Sequence, residues 1–389
     1  MPVFSLSNCR HISLQEYVLQ DFLYVDTADA LQTLVAQYER CSLLVLDTEF
    51  VRTRTYYARL GLIQAYDGET LALIDPVAIE DLSPFWALLS NPNILKLLHS
   101  GSEDLEVFAH HGNCQPAPLL DSQIAAAIAG MGHGLGYAKL VQQLLDIELD
   151  KGESRTDWIK RPLTDAQLFY AANDVKYLYQ LYPMLRDKLV EQNRLEWAYE
   201  ESQRMTEGRL QAADMQQAYL KVKNAFQLEP TELAVLRSLA AWRLAKAIKR
   251  DMAVGFVLKD HTLIALAKKQ PRSMNELLQS RDLNDHEKRF YGKELLKALD
   301  NVDLQSLPEP LDVLALKPGY KSAFKIIKAV LTDISETRQV PIELLGSKKL
   351  IHEYLEWQWG GKIAAEPLVL QGWRGSLTAE ALAQIESQL

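Results

Sequence analysis

Segments with the character of β-strands are confined to the first half of the chain, which has 389 residues. Apolar runs of strand length stand at 22–25, 42–47, 60–66, 70–75 and 94–98. Asp67-Gly68 separates the runs at 60–66 and 70–75 and is typical of a hairpin turn. Helical periodicity lies between the runs and prevails from about residue 136 to 192. Because strands interleaved with helices pack as layers, we predict an α/β domain over residues 20–195.

The rest of the chain carries no comparable strand signal. Its helical periods are interrupted by prolines and glycines, among them Pro230, Gly255 and Pro271. A proline-rich stretch at 307–310 has the composition of a linker. We therefore predict two small all-α domains, at 215–300 and at 303–389.

The net charge of −9 is unevenly distributed. Residues 1–200 hold 15 Lys and Arg against 27 Asp and Glu, whereas residues 201–389 hold 27 against 24. Within the second half, residues 237–297 carry 14 basic and 7 acidic groups. A solvated helical face is one interpretation of that stretch, but its confinement to one segment favours a surface that binds polyanions.

Several classes of protein are disfavoured by what the sequence lacks. No apolar run approaches the roughly 20 residues that a membrane span needs, and the first twenty residues do not have the pattern of a secretory signal. The three cysteines fit neither a disulfide framework nor a zinc site. Four glycines between 130 and 136 are not followed by the Gly-Lys-Ser/Thr of a phosphate-binding loop. We expect a cytoplasmic protein that uses no ATP and contacts no membrane, in which His99, His110, His111 and His133 are structural or surface residues.

Two carboxylates end the apolar run at 42–47. In extended chain Asp47 and Glu49 share one face, whereas Thr48 faces away. Neighbouring carboxylates repel each other, so a site that keeps both ionised requires a cation, and hard oxygen ligands suit Mg²⁺ or Mn²⁺. Taken alone, the pair is more consistent with a solvated strand end.

Further polar residues of the same kind follow. Asp104 lies in the first turn of a predicted helix after the run at 94–98, at the carboxyl end of a strand, where open α/β sheets bind their ligands. The helix dipole alone also favours an acid there. Tyr170 and Asp174 are four residues apart in a helical segment and therefore share one face.

The order of these motifs resembles that of the DEDD exonucleases in their tyrosine form. The surrounding sequence is similar to the ribonuclease D family in the segments 46–57, 60–64, 99–108, 153–158 and 170–174. Residues 236–278 are similar to the helical HRDC nucleic-acid-binding module, and residues 303–389 hold the position of a second such module. The resemblance implies a ribonuclease H-like α/β domain, with a mixed sheet and flanking helices, followed by the two helical domains.

The resemblance also implies the chemistry of a 3′→5′ exoribonuclease that releases nucleoside 5′-monophosphates. Two divalent metal ions, Mg²⁺ or Mn²⁺, would sit about 3.5–4 Å apart in each active site. Asp47, Glu49 and Asp174 would bind them directly, and Asp104 would assist. Tyr170 would orient the attacking water, because a phenol with an ordinary pKa of about 10 is a poor base near neutral pH.

Substrate contacts are predicted in the polar and aromatic residues near these motifs. Phe50 is placed to stack on a terminal base, although a core position is equally consistent with its sequence context. Arg52, Arg54 and Tyr57 interleave charge and aromatic rings directly after the acidic pair, as single-stranded RNA binding requires. Arg155 is a candidate phosphate ligand. We expect a monomer that acts on RNA, in particular on tRNA precursors with single-stranded 3′ ends, as the family resemblance implies.

Two alternatives remain open on the sequence. A 3′→5′ single-strand DNA exonuclease would use the same acidic residues and would differ in how it treats the 2′-hydroxyl. A catalytically inactive RNA-binding module is less consistent with the sequence, because all five motif residues are present.

Overall fold

The computed structural model describes residues 22–149, 152–153, 156–311 and 313–389. The described residues fall into two compact units. The first contains those up to 51 together with 59–210 and 332–345, and the second contains those of 52–58, 211–331 and 346–389. The short segment 52–58, which follows the strand that carries Asp47 and Glu49, is therefore part of the second unit.

The first unit is built on a six-stranded mixed sheet. Its strands are β1 (Leu23–Val25), β2 (Leu43–Val51), β3 (Arg59–Tyr66), β4 (Leu71–Ile74), β5 (Leu95–Leu98) and β6 (Leu119–Asp121). They lie in the order β1-β4-β3-β2-β5-β6, with β3 antiparallel to β4 and β2 and the other neighbours parallel. The predicted mixed sheet is confirmed.

Helices of the first unit accompany this sheet. They are α1 (Ala28–Tyr38), α2 (Ser83–Leu89), α3 (Ser102–Gly112), α4 (Ser122–Ile128), α5 (Tyr137–Leu145), α6 (Asp165–Glu191) and α7 (Leu195–Arg204). Helix α6 packs across β2, β3 and β4. It begins with a capping box, in which the Thr164 and Gln167 side chains each accept a hydrogen bond from the other residue's amide. Its position brings one helix face over the face of β2 that carries Asp47 and Glu49.

The predicted hairpin joins β3 to β4. The Asp67 carboxylate accepts hydrogen bonds from the amides of Glu69, at 2.9 Å, and Thr70, at 2.7 Å. Gly68 has a φ of +100°, a conformation that residues with a Cβ rarely adopt. The Asp-Gly pair therefore closes the turn both by hydrogen bonding and by backbone conformation.

The pairing of β2 with β3 contains a bulge. Asp47 lies opposite Gln64 and Glu49 opposite Leu62, after which the register shifts. Gly61 lies at this shift, and a Cβ added there would stand 2.6 Å from the carbonyl oxygen of Trp158. Glycine is therefore required for the segment around Trp158 to lie directly on the strand.

Arg161 fixes that segment to the sheet. Its guanidinium pairs with both oxygens of the buried Asp75, with Nε–Oδ2 at 2.7 Å and Nη2–Oδ1 at 2.6 Å. It also donates to the carbonyl oxygens of Gly61, at 2.6 Å, and Trp158, at 2.8 Å. Asp75 accepts a further hydrogen bond from the Tyr24 hydroxyl at 2.6 Å. Four separate parts of the first unit thus meet at one ion pair.

The C-terminal part of the chain is helical, as predicted. Its helices are α8 (Pro230–Lys249), α9 (Val254–Val257), α10 (Asp260–Lys269), α11 (Met274–Gln279), α12 (Asp285–Asp300), α13 (Tyr320–Arg338), α14 (Ile342–Gly346), α15 (Lys348–Trp359) and α16 (Gly372–Ile385). Short 3₁₀ turns precede α8, at Ala218–Lys221 and Ala225–Gln227. Buried leucines of α8, α10 and α12 share one apolar core. Among the described residues, no helix combines the length and the apolar character that crossing a membrane requires.

Candidate active site

The structure brings three of the predicted carboxylates together. One oxygen from each of Asp47, Glu49 and Asp174 lies within 4.8 Å of the other two. Val45, two residues before Asp47, packs in the core beneath α6, so the alternation of β2 continues the same face through Asp47 and Glu49. Helix α6 supplies Asp174 from above that face. Three carboxylate oxygens at this separation match the donors that a hard divalent cation takes.

Asp104 is joined to the same strand through Thr48. It lies in the first turn of α3 and is 6% exposed, whereas its neighbour Glu103 is exposed. The Thr48 hydroxyl donates a hydrogen bond to its Oδ1 at 2.5 Å. Thr48, predicted to face away from the acidic pair, therefore fixes the carboxylate of α3 to β2.

Burial raises the pKa of all four carboxylates, and the charges of neighbouring carboxylates add to the rise at Asp47 and Glu49. Burial, followed by the charges of Asp104, Asp174 and Glu49, raises the pKa of Asp47 well above its usual range. Burial and the charges of Asp174 and Asp104 raise the pKa of Glu49 to about 9. Burial raises the pKa of Asp174 to about 7.

Asp104 is the least perturbed of the four. Burial raises its pKa to about 6, and the hydrogen bond from Thr48 opposes that rise. So many carboxylates in one place retain their negative charge near neutral pH when a cation neutralises them. The donor set and its electrostatics therefore fit divalent metal.

Tyr170 lies one helical turn before Asp174. Its ring centroid is 6.2 Å from that of the buried Trp158, so Trp158 backs the tyrosine ring. Burial, with the nearby charges of Asp174, Glu49 and Asp47, raises the pKa of the Tyr170 phenol above its usual value. The phenol is therefore a hydrogen-bond donor at neutral pH and not a base.

A cavity of about 430 Å³ opens beside these residues. Tyr170 and Asp174 line it from α6, and residues 133–139 and Leu149 form the remaining wall. The Tyr137 hydroxyl donates to the carbonyl oxygen of Asn173 at 2.9 Å, which ties this wall to the turn of α6 that carries Asp174. The volume lies in the range of small-molecule sites and is sufficient for one nucleotide.

Comparisons with known proteins assign this architecture. A family model described as 3′-5′ exonuclease matches residues 22–190, an HRDC domain model matches 232–299, and a model described as ribonuclease D, C-terminal HRDC domain matches 318–382. A ribonuclease D of Shewanella sp. is 64% identical over 368 residues, which cover 95% of each chain. The chain belongs to the ribonuclease D family. The ribonuclease D of Escherichia coli is 44% identical over 369 residues, covering 93% of this chain and 97% of its own length.

Solved structures agree with the ribonuclease D assignment. The crystal structure of Escherichia coli RNase D, described as an exoribonuclease involved in structured RNA processing, matches with a TM-score of 0.89 and 43% identity. The match covers 94% of this chain and 99% of that one. The predicted enzyme class is confirmed: the protein is a 3′→5′ exoribonuclease, a hydrolase that acts on RNA.

Three of the five predicted substrate-binding residues lie in the second unit. Phe50 is the penultimate residue of β2, in the first unit, and is partly exposed. Arg52, Arg54 and Tyr57 fall in the segment 52–58, where the amides of Tyr56 and Tyr57 donate to the Asp251 carboxylate. The Arg54 guanidinium lies 5.9 Å from the centroid of the Phe256 ring. Arg155 lies outside the described residues.

The wall of the cavity at 133–139 was missed by sequence reasoning. The glycines of this stretch form no known phosphate-binding motif, and His133 was predicted to be a structural or surface residue. The structure places His133 and Lys139, both exposed, on the lining of the cavity that contains Tyr170 and Asp174. The available signal was the density of glycine, with positive φ at Gly130, Gly132 and Gly134, directly before a tyrosine and a lysine.

Proposed function

We propose that this enzyme shortens structured RNAs, tRNA precursors among them, from the 3′ end and releases nucleoside 5′-monophosphates with the help of two divalent metal ions. Asp47, Glu49 and Asp174 would hold the metals, with Asp104 assisting. The observation that carries the proposal is the convergence of three carboxylate oxygens within 4.8 Å of one another. Mg²⁺ and Mn²⁺ both take such ligands.

Each residue then has a defined task. Divalent cations bound to the carboxylates would supply the positive charge that offsets the charge developing on the phosphate. The protonated Tyr170 phenol donates a hydrogen bond that orients the attacking water, with Trp158 restricting the ring. The Thr48 hydroxyl holds Asp104 in place, as hydrogen bonds to metal-binding carboxylates do elsewhere.

The cavity beside Tyr170 and Asp174 supports cleavage at a chain end. Its volume of about 430 Å³ accommodates one nucleotide, so the 3′-terminal residue of the RNA would enter it and place the preceding phosphodiester near the carboxylates. His133 and Lys139, on its wall, are suited to contact that nucleotide.

The direct test is cleavage of a 5′-labelled RNA with a single-stranded 3′ tail, beside a DNA of the same sequence. Wild type, Asp47→Asn and Asp104→Asn would be compared in Mg²⁺, Mn²⁺ and chelator. The matched control is Glu103→Gln, because Glu103 adjoins Asp104 on the same helix turn but is exposed. We expect a metal-dependent ladder that shortens from the 3′ end of RNA, lost in Asp47→Asn and retained in the control.

Other outcomes would change the assignment. Equal degradation of the DNA would make the enzyme a general 3′ nuclease. RNA binding without cleavage in either metal would contradict the proposed mechanism. Full activity of Asp47→Asn would show that the carboxylate cluster is not the active site.

A basic groove in the second unit supports binding of longer RNA. It has a volume of about 670 Å³, and its lining includes Lys221, Lys223, Lys259 and Tyr56. The three lysines are exposed. We propose that they contact RNA phosphates while Tyr56 stacks on a base, a combination common in proteins that bind single strands.

Point variants test the groove better than truncation, because residues 332–345 belong to the first unit. The triple alanine variant of Lys221, Lys223 and Lys259 should bind structured RNA more weakly, and the slope of log K against log[salt] should become shallower by about 2. Its cleavage of a short oligonucleotide should change little. A triple alanine variant of Lys268, Lys293 and Lys297, which are also exposed, is the control. Equal losses of affinity for structured RNA in both triple variants would contradict the proposal that the groove binds RNA.

We further propose that the chain is a monomer with domains at 20–195, 215–300 and 303–389. Separate matches of family models to residues 22–190, 232–299 and 318–382 support the division. Sedimentation equilibrium should give the monomer mass of 44.1 kDa. Limited proteolysis should cut first near the linker at 307–310.

A further inference from the structure

Gln64 occupies an unusual position beside the carboxylate cluster. In the antiparallel pairing of β2 with β3 it lies directly opposite Asp47. Directly paired residues of neighbouring strands project to the same face of a sheet. The side chain of Gln64 therefore lies on the face that carries Asp47 and Glu49, under helix α6.

The side-chain amide of Gln64 is buried without a hydrogen-bond partner among the described residues. The residue is 0% exposed, and neither its Oε1 nor its Nε2 has a hydrogen-bond partner among the residues that the structure describes. Leu62 and Leu73, which are next to it on the same face, belong to the apolar core together with Ala171 and Val175 of α6. A buried amide without partners is unfavourable, and leucine or methionine would fill this volume at no such cost.

The cross-strand neighbours show where a partner is available. Gln64 lies between Leu73 of β4 and Asp47 of β2. Of these two, only Asp47 can accept a hydrogen bond. Carboxylates that hold metal are themselves fixed by hydrogen bonds from neighbouring groups, and loss of such a group typically weakens metal binding about 10–100-fold.

We propose that Gln64 is a positioning residue for the metal site, whose side-chain amide donates a hydrogen bond to the Asp47 carboxylate when a divalent cation is bound. The inference rests on the proposed metal-dependent function. It assigns to Gln64 a task that a purely structural core residue does not have.

The test is Gln64→Met, which keeps the length of the side chain and removes the donor. Binding of Mn²⁺ to the full chain would be measured by titration calorimetry, and the melting temperature would be measured in chelator. We expect Mn²⁺ affinity to fall about 10–100-fold, with the Mn²⁺ concentration for half-maximal cleavage rising by the same factor. In chelator the variant should melt at the same or a higher temperature, because an uncompensated amide has been removed from the core.

Two further variants separate positioning from packing. Leu73→Met changes the other cross-strand neighbour of Gln64 and should leave Mn²⁺ affinity unchanged. Gln64→Glu places another carboxylate beside Asp47. This variant should therefore differ from wild type in its Mn²⁺ affinity, in the pH dependence of cleavage, or in both. Wild-type Mn²⁺ affinity in Gln64→Met would overturn the inference, as would an equal loss of affinity in Leu73→Met. Failure of the wild type itself to bind Mn²⁺ and cleave RNA would instead overturn the proposed function.

Discussion

The ion pair between Arg161 and Asp75 permits a prediction whose size follows from its surroundings. Asp75→Asn keeps the shape of the side chain but leaves the guanidinium without its counterion. Loss of one partner of a fully buried pair costs about 3–5 kcal/mol. The side chain of Asp75 is 4% exposed and that of Arg161 is 22% exposed, so water recovers a part of this energy. We expect the free energy of unfolding of the first unit to fall by about 2–3 kcal/mol.

Calorimetry of the full chain in chelator would measure the effect without a contribution from bound metal. For a unit of this size the expected loss corresponds to a melting temperature lower by about 4–12 °C. The matched control is Asp187→Asn, because Asp187 pairs with Arg186 at 3.3 Å but is 66% exposed. That substitution should change the free energy of unfolding by less than about 0.5 kcal/mol. Equal melting temperatures for the two variants would refute the reasoning.

The pH dependence gives the same prediction a second check. Burial alone would raise the pKa of Asp75, but hydrogen bonds from Arg161 and Tyr24 and the guanidinium charge outweigh it and hold the pKa below its usual range. Because folding lowers this pKa, the stabilisation is complete above the unfolded-state value of about 3.9 and is lost as the pH falls through the folded-state value. The difference in free energy of unfolding between wild type and Asp75→Asn should therefore stay constant from pH 8 to 5 and narrow only below about pH 4. If this stability difference already narrowed between pH 7 and 5, the destabilisation would have to be assigned to a titrating group other than Asp75.

Three further substitutions test the active site and its support. Thr48→Val removes the donor to Asp104 and should raise the metal concentration for half-maximal cleavage about 10–100-fold; it should also lower the melting temperature in chelator, because the buried Asp104 carboxylate loses its partner. Tyr170→Phe should lower kcat by at least about 10-fold with KM nearly unchanged, as steady-state kinetics on a short RNA would show; a change in KM alone would assign the hydroxyl to substrate binding. Gly61→Ala forces a Cβ against Trp158 and should destabilise the first unit by about 1–3 kcal/mol in the same calorimetric assay.

Local rules predicted five of the six strands and one face of the site, but they missed the short strand β6 at Leu119–Asp121. The apolar runs and the Asp-Gly turn predicted strands and a hairpin, because both depend on residues close in sequence. Alternation along β2 placed Asp47 and Glu49 side by side, and the structure adds Asp174 to them. Asp104 was predicted from its place in a first helical turn after a strand, but alternation gave no means of finding its hydrogen bond with Thr48.

Contacts over long sequence distances were beyond prediction. The segment 52–58 pairs with Asp251, almost 200 residues later, and no periodicity or motif connects the two. The wall of the cavity at 133–139 carries glycines outside any known motif, so its side chains had no assigned chemistry. Gln64 was part of a recognised segment, but its burial and its lack of partners become visible only once α6 covers the sheet.

The assignment of residues 52–58 to the second unit limits how this chain could be recombined in evolution. Here the connection between two neighbouring strands of the nuclease sheet is a component of the helical part, with two of its amides bound to Asp251. Exchange of the helical modules alone would leave this loop without its partner, so the loop and the turn at Asp251 must be inherited together.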